Sequence, residues 1–536
     1  MKYKLLSIFT IFLPLLTFAQ DKGLDEKVND AFMPVAVWWE GFILTSIPIA
    51  GYNLPIVLML LIFGATFFTI YFKFPNITKF KLAINTVRGK YDELDHHSVE
   101  KAELNIVDGD LVDTIGDESK EGEVSHFQAL ATAVSGTVGL GNIAGVAVAI
   151  ALGGPGATFW MIVCGLIGMS TKFVECTLGV KYRDVGADGT VYGGPMYYLS
   201  RGLKEKGFTG LGKGLGVTFA VLCVGASFGG GNAFQSNQAA VQLSTMLNLQ
   251  GGATGVIIGI ILAFLVGIVI IGGIKKIASV TEKIVPFMAG VYVLASLVII
   301  FANIEYIGDA FAMIFNGAFT PMAGLGGILG VIIVGFQRAA FSNEAGAGSA
   351  AIAHSAVKTK YPASEGVVAL MEPFIDTVVI CTMTALVIIF FNMDAGAFEY
   401  GNAVNSTVLI TETGNYVGGV DLTSMAYDSV IPGFRYILTI AIILFAFSTM
   451  ISWSYYGLQS WKFLFGRGRY ADVVYKILFL IFVIIGAGAT LDAVIKFSDA
   501  MILALVFPNM IGLLFLFPKV KEELNKYVTD IKSIKK

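Results

Sequence analysis

Charge is scarce in this sequence. Asp, Glu, Lys and Arg make up 14% of its 536 residues, where a soluble domain carries about 25%. With 55% hydrophobic residues and a mean hydropathy of +0.75, the chain falls outside the soluble globular class. Cysteine is nearly absent: Cys164, Cys176, Cys223 and Cys381 each sit alone in an apolar stretch. That spacing excludes a disulfide framework and a thiolate metal cage, leaving small core residues. The four histidines, two of them adjacent in a polar loop, form no metal motif. No nucleophile–base pair stands out, and no phosphate-cradling loop runs into a lysine, so neither an enzyme nor an ATP-driven pump is expected. The net charge of −3 is sorted into loops and says nothing about partners; no nucleic-acid partner and no cofactor are expected.

What the chain has is apolar runs of roughly 20 residues, the length that crosses a bilayer as a helix. We expect an all-α polytopic membrane protein with about 11 spans, near 54–74, 127–151, 156–181, 214–240, 254–273, 283–303, 325–348, 364–391, 434–458, 471–490 and 496–517. With the N-terminus outside, each inner loop is basic: Lys73 to Lys90, Lys181 with Arg183, Lys275 with Lys276, Lys358 with Lys360, Lys462 to Arg469, and the lysine-rich tail after Lys519. The positive-inside rule therefore predicts an outer N-terminus and a cytoplasmic C-terminus in the bacterial inner membrane.

The start, "MKYKLLSIFTIFLPLLTFAQ", has two lysines, a short apolar stretch and a cleavage-like site after Ala19, which reads as a signal peptide over 1–19; the alternative is an uncleaved extra helix. Residues 91–123 are acidic and read as a solvated cytoplasmic insertion. Residues 392–433 form a long outer loop expected to fold as a lid. The expected division is therefore a signal peptide (1–19), an outer amphipathic segment (20–53) and an extra helix (54–74). A cytoplasmic loop with the insertion (75–126) leads to a first five-helix repeat (127–303). An outer re-entrant segment (304–324), a second five-helix repeat (325–517) and a basic cytoplasmic tail (518–536) complete the chain.

Two spans carry helix breakers at mid-membrane. Gly136-Thr137-Val138-Gly139-Leu140-Gly141-Asn142 interrupts the second span, and Phe341-Ser342-Asn343-Glu344-Ala345-Gly346-Ala347-Gly348 interrupts the middle to inner half of the seventh. Glycine costs about 1 kcal/mol relative to alanine in a helix, and unwound backbone at this depth survives only against protein or a water-filled cavity. Each break opens one of two five-helix repeats, and an odd helix number inverts the second repeat relative to the first. Interrupted helices at matching positions of two repeats point to a transporter site; close helix packing is the alternative. The half-helix starting near Asn142 offers N–H groups to a carboxylate, and the one ending near Phe341 offers carbonyls to an ammonium group or Na⁺. Glu344 would pair with Arg338 or a lysine, or cap amides. Glu372 and Asp376 read as structural partners or as proton carriers.

"FQALATAVSGTVGLGNIAGVAVAIALGGPGATFWM" (127–161), "KYRDVGADGTVYGGPMYYL" (181–199), "FSNEAGAGSAAIAHSAVKT" (341–359) and "EGVVALMEPFIDTVVICTMTALVI" (365–388) resemble the signatures of the alanine or glycine:cation symporter family. The likeness runs from about residue 50 to 518; the acidic insertion, the signal-like start and the long outer loop depart from it. The resemblance implies a sodium-coupled, less often proton-coupled, amino-acid importer with a LeuT-type 5+5 inverted repeat, two broken helices and one extra preceding helix.

It further implies a substrate carboxylate held by Thr137, Gly139, Gly141 and Asn142, a polar wall at Gln235, and bulky groups Phe341 and Trp453 at the side-chain end. Related folds imply Na⁺ between the first broken helix and the ninth span, with Ser448, Thr449 and Ser452 hydroxyls and the carbonyls of Val134 and Thr137 as oxygen ligands. Inter-helix hydrogen bonding for Gln235, aromatic packing, and serine back-bonding are the plain alternatives. The partners expected are alanine or glycine, Na⁺ and the bilayer, with a monomer as the working unit. A proton-coupled importer, a channel and an amino-acid sensor stand as rivals.

Overall fold

The structure, a computed structural model, describes residues 22–49, 52–92, 94, 122–186, 189–320 and 327–534. The expected signal peptide over 1–19 and most of the acidic insertion lie outside these residues.

Helix α1 (Leu24–Ile43) and a hairpin of β1 (Ser46–Ile49) and β2 (Tyr52–Pro55) lead into α2 (Ile56–Tyr71). Next come α3 (His126–Thr137), α4 (Val146–Gly153), α5 (Gly156–Lys181) and a short helix α6 (Pro195–Glu205). Then follow α7 (Thr209–Phe228), α8 (Phe234–Leu247), α9 (Thr254–Ile270) and α10 (Gly273–Ala302). After α11 (Ile307–Phe319) stand α12 (Ile328–Asn343), α13 (Ala350–His354), α14 (Pro362–Ala369) and α15 (Thr382–Ala395). Helices α16 (Gly419–Val430), α17 (Phe434–Phe465), α18 (Arg469–Gly488) and α19 (Leu491–Ile534) complete the order.

Among the described residues, seven helical stretches are long and apolar enough to cross a bilayer: α5, α7 with α8, α10, α14 with α15, α17, α18 and α19; the bent pair α3–α4 makes an eighth. The apolar helices α2, α9 and α12 are shorter, at 16, 17 and 16 residues.

Burial sorts these helices into a centre and a periphery. The apolar stretch is 67% buried in α5 and 72% in α17, but 33% buried in α10 and in α18. Phe264 on α9 and Phe287, Leu294 and Phe301 on α10 are more than 60% exposed, which is stable only against lipid, the solvent that welcomes such side chains. The centre is close-packed through small residues. A methyl on Gly156 would lie 2.1 Å from the Gly317 carbonyl carbon, and one on Gly366 1.9 Å from Thr177 Oγ1, so α5 takes α11 and α14 at near backbone contact.

Local chemistry fixes the element ends. Ser125 begins α3 with a capping box: its Oγ accepts from the Gln128 N–H at 3.2 Å, and Gln128 Oε1 accepts from the Ser125 N–H at 3.1 Å. The 392–433 loop is folded, with a three-stranded sheet of Ala403–Val404, Thr407–Leu409 and Tyr416–Val417 followed by α16. The segment 304–324 contains α11, whose Trp160 contact is a donated N–H to the Ala318 carbonyl at 3.0 Å.

Helix α1 is docked by charge as well as by apolar contact. Asp25 accepts from the first amides of α9, Gly255 N–H and Val256 N–H, both at 3.0 Å, so a carboxylate of one helix caps the N-terminus of another. Asp25→Ala should cost about 1 kcal/mol of stability, read as a lowered unfolding temperature of the purified protein, whereas Asp25→Asn should recover part of it.

Candidate functional site

Four interruptions of α-helical bonding meet at the centre. Between α3 and α4 the chain leaves the helix at Val138, turns through Gly139 and Leu140, and resumes as a wide π-turn over Gly141–Gly145, bending by 48°. A second π-turn, Gly229–Ala233, joins α7 to α8. The third interruption follows α12, where Glu344 takes φ +56°, Gly346 φ +95° and Gly348 φ +80° before α13. The fourth is a long π-segment, Phe374–Cys381, between α14 and α15.

The sequence marked the first and third. The second and fourth were not expected, although three consecutive glycines, Gly229 to Gly231, and Pro373, which has no N–H to give inside a span, mark their places. Wide turns of this kind concentrate at functional positions.

Of the two surroundings expected for the freed amides, protein or a water-filled cavity, side chains of the protein meet them. Gly139 N–H donates to Asn142 Oδ1 at 2.9 Å, and Leu140 N–H donates to Gln235 Oε1 at 3.1 Å. Gln235 in turn donates to the Gly230 carbonyl at 2.9 Å, so the amide spans the first and second interruptions. Asn142 Nδ2 donates to Asp376 Oδ1 at 2.6 Å and to the Asp376 carbonyl at 3.1 Å, tying the first to the fourth. Ser342 donates to Asp376 Oδ2 at 2.9 Å, which brings in the third. Asp376 therefore sits as a hydrogen-bond hub.

The aromatic walls follow from the glycines. A methyl on Gly231 would stand 2.1 Å from Trp453 Cγ, one on Gly230 3.1 Å from Phe341, and one on Gly141 3.4 Å from the same Phe341 ring. Trp453 and Phe341 thus flank consecutive glycines of one turn, and Phe341 also meets Phe234 edge-on, with centroids 5.1 Å apart.

Glu344 pairs with neither Arg338 nor a lysine. Its Oε1 accepts from Trp453 Nε1–H at 3.0 Å and its Oε2 from the Ser349 hydroxyl. Arg338 is drawn to Asp499 on α19 instead, where Gln337 also donates at 2.9 Å. A buried guanidinium takes the nearest carboxylate that geometry allows, and the left-handed turn swings Glu344 away from α12.

Of the oxygens expected between α3 and α17, those of Thr449 and Ser452 come together, with the Ser448 carbonyl, around Ser135, a residue not singled out in the sequence. Ser135 donates to the Ser448 carbonyl at 2.8 Å, Thr449 donates to the Ser135 carbonyl at 2.9 Å, and Ser452 donates to Ser135 Oγ at 3.1 Å. Ser448 turns its hydroxyl to the Phe445 carbonyl at 3.0 Å. Thr137 back-bonds to Ala133 at 3.2 Å and to Val134 at 3.4 Å, and the Val134 carbonyl also accepts from Val138 N–H at 2.6 Å. A methyl on Gly139 would come within 2.4 Å of Thr449 Oγ1, so this oxygen cluster abuts the first interruption. Among the described residues there is no His/Cys/Asp/Glu group arranged for a transition metal; the oxygens here are hydroxyls and carbonyls, the donor class that suits hard cations.

Beyond the centre runs a chain of buried ion pairs. Lys172 on α5 meets Glu372 at 3.1 Å, His354 approaches Glu372 at 3.4 Å and Glu365 at 2.5 Å, and His126 at the start of α3 also contacts Glu365. Lys172, His354, Glu365 and Glu372 are all fully buried. None was singled out for pairing in the sequence except Glu372, because such partners lie as much as 239 residues apart in the chain.

The sequence profile of the sodium:alanine symporter family matches residues 43–536. The sodium/alanine symporter AgcS of Methanococcus maripaludis is 43% identical over 412 residues, 77% of this chain and 86% of that protein. The putative sodium/proton-dependent alanine carrier protein YrbD of Bacillus subtilis is 36% identical over 411 residues, 76% of this chain and 81% of that one. Among solved structures, MhsT in complex with L-phenylalanine is similar at a TM-score of 0.49 and 15% identity, covering 75% of this chain and 99% of that one.

Trp453→Phe keeps the ring but removes the N–H, leaving Glu344 Oε1 buried with that bond unmade. It should cost about 1–3 kcal/mol, measured as thermal stability of the purified protein, while Trp453→Phe combined with Glu344→Gln should lose less than the two changes summed.

Proposed function

The chain belongs to the sodium:alanine symporter family, and on that premise we propose that it imports a small neutral amino acid, alanine or glycine or both, coupled to Na⁺ by alternating access. The observation that carries this reading is the pair of side-chain oxygens, Asn142 Oδ1 and Gln235 Oε1, on the Gly139 and Leu140 amides. Two adjacent N–H groups facing two oxygens match a carboxylate. A bound substrate carboxylate would take their place, with Thr137, Gly139, Gly141, Asn142 and Gln235 around it. Phe341 and Trp453, held close by Gly141, Gly230 and Gly231, would leave room for a methyl or a hydrogen and none for a branched side chain.

Na⁺ would lie among Ser448, Thr449, Ser452 and the carbonyls of Val134 and Thr137, with Ser135 as a further oxygen. The contacts of Ser135 and Thr449 with each other's helices mean that an ion there would clamp α3 to α17. An ion bound first offsets the charge of the incoming carboxylate, and each net positive charge moved inward releases about 2.3 kcal/mol per 100 mV. Counting α2, α9 and α12 gives eleven spans. We read them as one extra helix followed by two inverted five-helix repeats of LeuT type, 127–303 and 325–517, with the N-terminus outside and the tail after 518 in the cytoplasm. A monomer contains every group named.

Radiolabelled alanine uptake into proteoliposomes tests the proposal. Uptake should saturate, collapse when Na⁺ is replaced by choline, and be competed by glycine but poorly by leucine. Uptake that follows a proton gradient without Na⁺ would select the proton-coupled alternative, and flux that neither saturates nor needs Na⁺ would select a channel. Thr449→Val should raise the half-saturating Na⁺ concentration roughly tenfold, and Gln235→Ala the half-saturating alanine concentration by a similar factor.

A further inference from the structure

A cavity with several charged residues in its wall lies beyond the central site. Its volume is about 590 Å³, and it opens between the far end of α8, α16 and the start of α17. Three carboxylates, Glu412, Asp421 and Asp428, line it together with one guanidinium, Arg435. Arg435 is committed to Asp428, donating through Nε at 2.9 Å, while the other Asp428 oxygen accepts from the Gly433 N–H at 2.9 Å.

Asp421 has no such counterion among the described residues. Its Oδ2 accepts from the Thr245 hydroxyl at 3.0 Å, and its buried Oδ1 has no donor among the described residues. On the facing helix Gln242, 2% exposed, donates its Nε2 to Thr439 Oγ1 at 2.8 Å and to Ser424 Oγ at 3.3 Å, which leaves its Oε1 also without a donor. Burial pushes the Asp421 carboxyl up to about 6, still ionised at neutral pH. Two desolvated acceptor oxygens, one of them charged, call for a positive centre or a donor.

The placement of these oxygens gives the chamber a direction. Helix α8 carries Gln235, Gln238 and Gln242 at steps of three and four, which puts all three on one face, and the first and last are separated by roughly 10 Å of helical rise. Gln235 belongs to the central site. Gln238 stands between, accepting from the Val420 N–H at 2.9 Å and donating to Asn237 Oδ1 at 2.8 Å. The α16 helix that carries Asp421 also reaches the first interruption, since Thr423 donates to the Ile143 carbonyl at 3.1 Å.

We propose that Asp421 and Gln242 hold one positively charged centre in this chamber, a Na⁺ ion or the ammonium end of an amino acid, as the station it occupies before passing Gln238 to the central site. The direction of travel rests on the importer reading; the binding itself does not. Ser424 and Thr245 supply the neighbouring hydroxyl oxygens, and Arg435 is neutralised by its pairing with Asp428.

Equilibrium binding of radioactive sodium, and separately of radiolabelled alanine, to the purified full-length protein tests the site. Asp421→Asn should remove one binding component: that of sodium if the ion is the occupant, that of alanine if the ammonium is. In uptake, the half-saturating concentration of the same species should rise roughly tenfold. Asp421→Glu should keep the component and Gln242→Met should weaken it, while Thr449→Val at the central site should leave it in place. Unchanged binding and half-saturation of both species in Asp421→Asn overturns the proposal, as does a fall in maximal uptake alone. Absence of sodium-driven uptake by the unmutated protein would defeat the importer reading and leave the binding result to stand on its own.

Discussion

Everything at the centre of this protein depends on one requirement: a backbone amide released from its helix at membrane depth must find another acceptor. The chain interrupts its helices at four places, and at the first and third it answers freed amides with side chains, Asn142 and Asn343 from the same turn and Gln235 and Glu175 from other helices. Asn142 and Gln235 take the amides of the first interruption, and Asn343 accepts from the Ala345 N–H at 2.9 Å in the third. Glu175 on α5 accepts from the Gly346 N–H at 2.9 Å, and Asn509 on α19 donates to the Gly346 carbonyl at 2.8 Å. The glycines that weaken each helix also let the answering side chains come close, so the break and its repair have one origin.

The buried ions follow the same logic on the other side of the third interruption. Lys172, Glu372, His354 and Glu365 lie on α5, on the run after α14, on α13 and on α14, and His126 adds the start of α3. Charges this deep persist only in company. Their arrangement fastens the short helix α13 to α5 and α14, which a five-residue helix could not achieve by apolar contact alone. The broken segment is therefore held at both ends: by Glu344 with Trp453 and Ser349 at its start, and by the His354 pairs at its close.

The helices and the two glycine-rich breaks could be read in the sequence because apolar length and helix-breaking residues are local properties. The span expected at 156–181 coincides with α5 residue for residue, since Gly154 at φ +63° and the basic end of the helix both mark its limits. Partner choice is a different matter. Glu344 and Arg338 sit on adjacent turns and invite each other on paper, yet each takes a partner more than a hundred residues away. Ser135 carried no signal, being one serine among many until α17 comes to lie against it. Asp421 and Gln242 were invisible for the same reason: an orphan oxygen is defined by what surrounds it in space.

The wide turn at Gly229–Ala233 has a further meaning. A π-turn accommodates one residue more than an α-turn would in the same length, so everything after it is rotated by about 100° relative to an unbroken helix. The row of glutamines on α8 faces the interior only because of that offset. Loss of a single residue from the turn would leave the helix intact, and every side chain on it chemically unchanged, yet would aim the whole row at a neighbouring helix instead. Angular phase, set by five residues of almost no side-chain content, is thus as much a part of the site as the groups that touch its contents.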